Sequence, residues 1–201
     1  MYIGRFLVVG KTENGKPFVS YRVSSRSFPN RKAVLKDNTV SIIPNDLNEI
    51  FSNPYITYNC IKVVDNTVIA TNGSQTDVIS DKIKLGLPIR DALVYSLITM
   101  DYEKDEYNTP RIAVVLNDKE CYMGYVRHDG ISVEKIELEN GKGRYIGVYN
   151  TCRISNTQSI DIIGENPEEI CNYLMNYEEF EHPVCCATAV INNGEIKIGT
   201  K

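Results

Sequence analysis

The chain has 201 residues, of which 42% are hydrophobic and 24% are charged, and its formal net charge at pH 7 is -4. This length can bury the core of one domain, and the acidic balance argues against a protein that coats nucleic acid. No apolar run reaches the roughly 20 residues of a transmembrane helix, and the first residues lack the pattern of a signal peptide. We therefore expect one cytoplasmic domain over residues 1–201, without a nucleic-acid or membrane partner.

The cysteines and histidines give no sign of a metal site. The six cysteines are scattered without a CxxC pair, and adjacent Cys185 and Cys186 lie in an apolar run, which favours reduced and buried thiols. The two histidines, His128 and His182, are too few for a His-rich metal site. We expect neither a metal nor a cofactor.

The first part of the chain has the pattern of strands joined by turns. Strands are predicted at about 2–9, 17–24, 40–43, 55–64 and 67–71, with hairpin turns at 10–15 and 65–66. An irregular basic loop occupies 25–31, and Asn45 can cap a short helix over 46–51.

The middle and the end of the chain add helices. A helix is predicted over 77–83, and a longer one begins at Pro88 and delivers the chain to Asp101. A third begins after Asn166 and runs to about 180, because a cap, a proline and two acids follow one another there. The remaining predicted strands are 111–117, 120–127, 131–138, 144–149, 183–191 and 195–198. The stretch 151–164 is left unassigned.

This order of elements predicts an α+β fold. Strands joined by short turns pair antiparallel, and the helices inserted between them must cover the outer faces. The expected architecture is a four-layer αββα sandwich of two mainly antiparallel sheets flanked by helices.

One stretch, Asp101 to Arg111, is crowded with acids, bases and phenols between two apolar elements. Buried charge is costly unless it is paired or used, so this stretch is either a solvated turn or the floor of an active site. In the second case Glu103 and Asp101 could act as general acid or base, with Lys104 as the charge partner that tunes them.

A basic cluster offers a place for an anion. Arg22, Ser24 and Arg26 alternate along a predicted strand and would share one face, and Arg31 follows after a turn. Guanidinium groups suit phosphate oxygens, and Asn30 beside them adds a neutral donor. The alternative is an exposed, solubilising strand end.

Two weaker patterns complete the inventory. The turn Asn72-Gly73-Ser74 before a helix offers backbone N–H groups to an anion, although plain helix capping explains it equally. Tyr58 and Asn59 could orient a heterocycle, although a strand tyrosine is more often a packing residue. Because the chain has no Gly-x-Ser-x-Gly motif and no Walker A loop, these residues favour proton transfer on a phosphorylated substrate over nucleophilic catalysis.

Five stretches together carry a family resemblance. They are Tyr2-x-Gly4-Arg5, Tyr21 to Arg31, Asn53-Pro54-Tyr55-Ile56-x-Tyr58-Asn59-Cys60, Asn72-Gly73-Ser74 and Met100 to Ile112. The set resembles the archaeal-type IMP cyclohydrolase family. The resemblance covers most of the chain, with most of the matching motifs before about residue 112. The resemblance implies a core like that of N-terminal nucleophile hydrolases. Residue 2 is Tyr here, not the Cys, Ser or Thr on which those hydrolases rely, so their nucleophile chemistry cannot be shared.

The implied reaction closes 5-formamidoimidazole-4-carboxamide ribonucleotide to IMP with loss of water, without metal or cofactor. The resemblance implies catalytic roles for Glu103 in proton transfer, Tyr58 as donor to the oxyanion, and Arg22 in stabilising negative charge. The implied substrate-binding residues are Arg26, Asn30, Arg31, Asn59, Asn72, Gly73, Ser74, Asp101, Lys104, Asn108 and Arg111. Of these, Arg26, Asn30 and Arg31 would take the 5′-phosphate.

Two other functions remain open at this level. The chain could be a non-catalytic sensor that binds a purine nucleotide, or an amidohydrolase that needs processing to expose a nucleophile. Enzymes of this size often form symmetric assemblies, so we also expect a homo-oligomer.

Overall fold

A computed structural model describes residues 1–48 and 56–201. Within them, the strands are β1 (Phe6–Lys11), β2 (Pro17–Ser24), β3 (Arg31–Lys36), β4 (Thr39–Pro44), β5 (Tyr58–Val64), β6 (Thr67–Thr71), β7 (Arg111–Leu116), β8 (Cys121–Arg127), β9 (Gly130–Lys135), β10 (Lys142–Gly147), β11 (Ser159–Asp161), β12 (Pro183–Asn192) and β13 (Glu195–Thr200). The helices of the described residues are α1 (Gln75–Lys84), α2 (Ile89–Met100) and α3 (Pro167–Met175).

The strands form two sheets. The first sheet has the order β11-β10-β1-β2-β12-β13, and the second has the order β3-β4-β5-β6-β7-β8-β9. All neighbouring strands in both sheets run antiparallel. All neighbours in the second sheet are consecutive strands of the chain, and most of them are joined by short turns, as expected of antiparallel pairs.

Three apolar clusters hold the layers together. The largest lies between the sheets and joins residues such as Leu7 and Tyr21 to Val68 and Ile112. A second cluster packs α3 on the outer face of the first sheet. The third packs α1 and α2 on the outer face of the second sheet. The predicted four-layer αββα sandwich is confirmed, whereas the likeness to N-terminal nucleophile hydrolases stays a prediction.

The start of β1 differs from the prediction in a way that shapes the site. The strand begins at Phe6 rather than at residue 2, because the chain turns at Gly4, whose φ is 69°. A Cβ at Gly4 would lie 2.5 Å from the Val148 side chain, so the close approach requires glycine. Residues 2–5 therefore leave the sheet.

Other differences concern edges and ends. Strand β3 was not predicted, because Arg31–Lys36 is a largely exposed edge strand with little apolar alternation. The unassigned stretch 151–164 contains the short edge strand β11. Helix α3 ends at Met175 rather than near 180. The second half of the helix predicted over 46–51 and the first residue of the strand predicted over 55–64 lie outside the described residues.

The helices are short in this fold. None of those in the described ranges combines the length and the apolar character needed to cross a membrane.

Candidate active site

A cleft of about 440 Å³ opens at one end of the sandwich. Its walls come from five segments: the chain before β1, the stretch from the end of β2 to the start of β3, the chain just before β5, the loop between α2 and β7, and the residues after β10. The lining residues are Tyr2, Arg5, Ser24, Ser25, Ser27, Phe28, Arg31, Ile56, Glu103, Asp105, Glu106, Tyr107, Thr109, Val148 and Tyr149. This volume is within the range of pockets that bind small ligands and cofactors.

Glu103 is a buried carboxylate at the floor of this cleft, with only 4% of its surface exposed. The guanidinium of Arg5 donates to its Oε2 at 3.2 Å, and Nη1 of Arg111 lies 3.6 Å from its Oε1. The backbone N–H of Glu103 donates to the carbonyl of Thr109. Of the two interpretations of this stretch, the solvated turn does not hold for Glu103, because its charge is buried and paired with two cations.

Residues 72–75, after β6, hold Arg111 of this ion-pair cluster in place. Arg111 donates to Oε1 of Gln75 at 2.9 Å, and Gln75 donates to Oδ1 of Asn72 at 2.7 Å. Asn72 also accepts from the backbone N–H of Ile112 and donates to the carbonyl of Pro110. This network ties α1 to the strand that carries Arg111.

Gly73 is required for close packing of the cluster. A Cβ at this position would lie 3.2 Å from Oε1 of Glu103 and 3.0 Å from Nη1 of Arg111. Its N–H is already bonded to the hydroxyl of Thr71, and Ser74 is exposed and makes no side-chain cap bond. Residues 72–74 do not line the cleft, so the structure gives this turn a supporting position rather than the predicted contact with an anion.

Tyr58 is 8% exposed and is not among the residues that line the cleft, but the charges of two lining residues, Arg5 and Arg31, act on its hydroxyl. Its hydroxyl is 2.6 Å from the hydroxyl of Tyr21, which is fully buried. Burial raises the pKa of Tyr58, and the positive charges of Arg5 and Arg31 oppose that rise. The charges of these two arginines therefore act on a phenol that the sequence singled out.

Of the two arginines that were assigned to the phosphate, Arg31 lines the cleft and Arg26 does not. Arg31 is 7% exposed, lines the cleft, and donates through Nε to the carbonyl of Phe28. Arg26 is exposed, stacks over the ring of Tyr2 at 4.3 Å and lies 3.6 Å from Glu181. Asn30 is also exposed. Among the three residues assigned to the phosphate, Arg31 has the placement that this contact needs.

The expected placement of Arg22 is wrong. Its side chain leaves β2 on the face opposite Tyr21 and is fully buried under α3, over the ring of Phe6. Its two terminal nitrogens donate to the carbonyls of Leu174 at 2.8 Å and Phe180 at 2.6 Å. Strand alternation explains this: Tyr21 and Val23 fill the core between the sheets, so Arg22 must face the helix.

Asn59 is also directed away from the cleft. Its amide donates to both carboxylate oxygens of Asp77 on α1, and its oxygen accepts from Ser41 at 2.7 Å. Tyr58 faces the core, so its neighbour along β5 faces the helix layer. The predicted substrate contact of Asn59 is not supported.

The residues around Glu103 shape its loop. Asp101 ends α2 with a φ of 55° and pairs with Lys104 at 2.5 Å, and both side chains are substantially exposed. The Lys104 ammonium, which donates to the carboxylate, and the Tyr102 N–H hold the pKa of Asp101 below its ordinary value. Asn108 is exposed with a φ of 48°. Arg111 is buried and donates to the carbonyl of Asp101 at 2.8 Å.

Comparison with known proteins identifies the family. The model of a family described as IMP cyclohydrolase-like protein matches residues 2–195. The chain belongs to this family. Proteins named IMP cyclohydrolase from Methanocaldococcus jannaschii and Methanococcus aeolicus are 65% and 66% identical to it over 100% of this chain, and over 99% and 100% of their own lengths. One from Methanosphaera stadtmanae is 44% identical over 100% of this chain and 99% of its own.

Within this IMP cyclohydrolase-like site, the structure adds residues that the sequence did not nominate. Arg5, which donates to Glu103 and to the carbonyl of Asn72, is the most important of them. Tyr21, Thr109 and Gln75 also contact predicted site residues. Arg5 and Tyr21 lie within the motifs that carry the family resemblance, so the resemblance could have indicated them. The alternating pattern of apolar residues placed both in strands, without a role in the site.

The described residues contain no group of three or more His, Cys, Asp or Glu side chains arranged to hold a metal ion. The cleft offers two arginines, the buried carboxylate of Glu103, the carboxylates of Asp105 and Glu106, and several hydroxyls. This set can bind an anionic, polar ligand and move protons.

Proposed function

We propose that the chain is an IMP cyclohydrolase, which closes 5-formamidoimidazole-4-carboxamide ribonucleotide to IMP with release of water. The observation that carries this proposal is Glu103, buried between Arg5 and Arg111 at the floor of a cleft large enough for a nucleotide. The full-length similarity to relatives named IMP cyclohydrolase supports it. No observation favours a non-catalytic sensor or a processed amidohydrolase.

The chemistry requires a proton acceptor, an oxyanion donor and a phosphate site. The carboxamide nitrogen attacks the formyl carbon, and the former formyl oxygen leaves as water after gaining protons from the carboxamide and formamide nitrogens. Glu103 lies where it can take up a proton at the cleft floor, and Arg5 can hold negative charge that develops there. Proton transfer by a positioned side chain contributes about 10²- to 10⁴-fold in rate.

The ligand is assigned to the cleft by charge and shape. Arg31, with Ser24, Ser25 and Ser27 around it, forms a polar wall suited to the 5′-phosphate. Tyr58 would donate to the oxygen on the reacting carbon. A homo-oligomeric state and a cytoplasmic location stay predictions.

The direct test is to incubate the protein with the formamido ribonucleotide and to follow IMP formation spectrophotometrically, with and without EDTA. We expect product in both cases. No product contradicts the proposed activity, and product that EDTA abolishes contradicts a mechanism without metal.

A pair of matched variants then tests the role of Glu103. Glu103→Gln should lower kcat by about 10²-fold or more while IMP still binds, because the amide cannot accept the proton. Glu134→Gln, an exposed glutamate on edge strand β9, is the control and should retain parental kcat. Unchanged turnover in Glu103→Gln would overturn the assignment.

A further inference from the structure

We propose that Tyr21 is a positioning residue that donates a hydrogen bond to Tyr58 and thereby directs the hydroxyl hydrogen of Tyr58 toward the reacting oxygen. This inference rests on the proposed function. It assigns a role to a residue in the core between the sheets, on which the site depends but which the substrate does not touch.

The geometry of the two phenols is that of a strong hydrogen bond. Their oxygens are 2.6 Å apart, at the short end of O–H···O distances, and their rings meet edge to face with centroids 6.3 Å apart. Tyr21 comes from β2 of the first sheet and Tyr58 from β5 of the second. The hydrogen bond therefore joins the two sheets and fixes the position of the Tyr58 hydroxyl relative to the first sheet.

Hydrogen counting sets the direction of the bond. Each phenol has one hydrogen, so one of the two hydroxyls donates and the other accepts. Tyr21 is fully buried and Tyr58 is its only hydrogen-bond partner in the described residues, so a bond in the other direction would leave the Tyr21 hydrogen buried without an acceptor. That arrangement is costly, so Tyr21 donates. The hydrogen of Tyr58 is then left for a ligand.

The surrounding charges indicate which phenol can give up its proton to a ligand. Burial raises the pKa of Tyr21 and the neighbouring Tyr58 raises it further, while the charge of Arg5 opposes that rise. Burial also raises the pKa of Tyr58, but Arg5, Arg31 and the bond from Tyr21 all oppose that rise. Of the pair, Tyr58 is therefore the better proton donor, and Tyr21 keeps its proton.

The consequence for the reaction is a balanced proton transfer. The O–H bond of Tyr58 breaks as an O–H bond forms on the oxygen that leaves as water. The resulting phenolate is held by the Tyr21 hydrogen and by the charge of Arg5, until a proton released from a substrate nitrogen restores it. No co-reactant is needed, because the two nitrogens of the substrate supply both protons of the water.

The kinetic test removes each hydroxyl separately and both together. Tyr21→Phe should lower kcat about 10-fold while KM changes less than about threefold, because the substrate does not contact Tyr21. Tyr58→Phe should lower kcat more. The double variant should be no slower than Tyr58→Phe alone, because Tyr21 acts only through Tyr58.

Tyr125→Phe provides a matched control, because Tyr125 is buried in the same cluster and has no hydroxyl bond to either phenol. It should retain parental kcat and a similar melting temperature. If Tyr21→Phe behaves like Tyr125→Phe, or if the losses of Tyr21→Phe and Tyr58→Phe multiply in the double variant, the proposal is overturned.

A second measurement is independent of activity. A buried phenol bond should give a slowly exchanging hydroxyl proton in the NMR spectrum, with cross-peaks to the ring that carries it. We expect those cross-peaks to connect the hydroxyl proton to the ring of Tyr21. The ring resonances of Tyr21 are assigned as the tyrosine resonances that disappear in Tyr21→Phe. A slow proton on the Tyr58 ring would reverse the bond and refute the inference, whether or not the parent forms IMP. The opposite result is also informative. If the parent forms no IMP but the slow proton lies on Tyr21, the enzyme proposal and the catalytic use of the hydrogen bond are both wrong. Only the direction of the bond, from Tyr21 to Tyr58, then stands.

Discussion

Two arginines with little or no solvent exposure, Arg5 just before β1 and Arg22 on β2, occupy opposite surroundings. Arg5 precedes β1 at the cleft, where it meets the carboxylate of Glu103 and the two phenols. Arg22 lies on β2 beneath α3, where it meets only backbone carbonyls among its hydrogen-bond acceptors in the described chain. Burial alone therefore does not distinguish a functional cation from a structural one.

The pKa values express this difference. Burial lowers the pKa of both guanidiniums, and for Arg22 it brings the pKa to about 10 with only a weak opposing effect from Cys186. For Arg5 the neighbouring Tyr58 and Glu103 reverse the effect, so its pKa lies above the ordinary value. Both are cations at neutral pH. Only Arg5 has acidic neighbours whose protons its charge can control.

The largest effect that tests this comparison is expected at Arg5. Arg5→Met keeps much of the side-chain volume but removes the charge beside Glu103 and Tyr58, so kcat/KM for the formamido ribonucleotide should fall about 10²-fold or more. Steady-state kinetics of IMP formation measures the loss. Arg5→Lys, which keeps the charge but not the fork that reaches both Glu103 and the Asn72 carbonyl, should recover part of it. Equal activity of Arg5→Met and the parent would remove Arg5 from the site.

A smaller effect is expected at the phosphate wall, where Arg31 and Arg26 form a natural pair. Arg31→Ala should weaken IMP binding about 10-fold, because Arg31 lines the cleft and is almost buried. Arg26→Ala should change it less than about threefold, because exposed ion pairs contribute little. Isothermal titration with IMP compares the two. If Arg26→Ala weakens IMP binding more than Arg31→Ala does, the phosphate site lies near Arg26 and Glu181 rather than at Arg31.

The comparison also shows what could be predicted from the sequence. Period-two and helical patterns predict the layers, because burial of apolar faces fixes them. They also led to the wrong side for Arg22: the assumption that Arg22 shares a face with the loop arginines ignores Tyr21 and Val23, which need the core face. Asn59 was misplaced for the same reason, since Tyr58 occupies the core side of β5.

Hydrophobic periodicity could not identify Arg5 and Gln75 as site residues. Arg5 contacts Glu103 because Gly4 turns the chain out of the sheet, and the two residues are 98 positions apart in sequence. Gln75 joins Asn72 to Arg111 through a buried side chain at the start of α1. Such contacts depend on tertiary packing rather than on local spacing.

Arg22 should affect stability without affecting catalysis. Arg22→Met leaves the carbonyls of Leu174 and Phe180 without their donors, so the free energy of unfolding should fall by about 3 kcal/mol. In the protein that remains folded, kcat/KM should stay within about twofold of the parent, since a change of that size is less than about 0.5 kcal/mol. Urea unfolding and kinetics on the same samples separate the two quantities. A large loss of kcat/KM at unchanged stability would restore Arg22 to the catalytic site.

The smallest expected effect is at Asn59. Asn59→Ala removes its bonds to Asp77 and Ser41 on the half-buried outer face of the second sheet, so stability should fall by about 1 kcal/mol. Ser41→Ala, which breaks one of the same bonds, is the matched control and should lower stability by a similar or smaller amount. Both variants should bind IMP like the parent, because neither side chain lines the cleft. Weaker IMP binding in Asn59→Ala alone would show that the amide reaches the ligand when the nucleotide is bound, and would extend the site through β5.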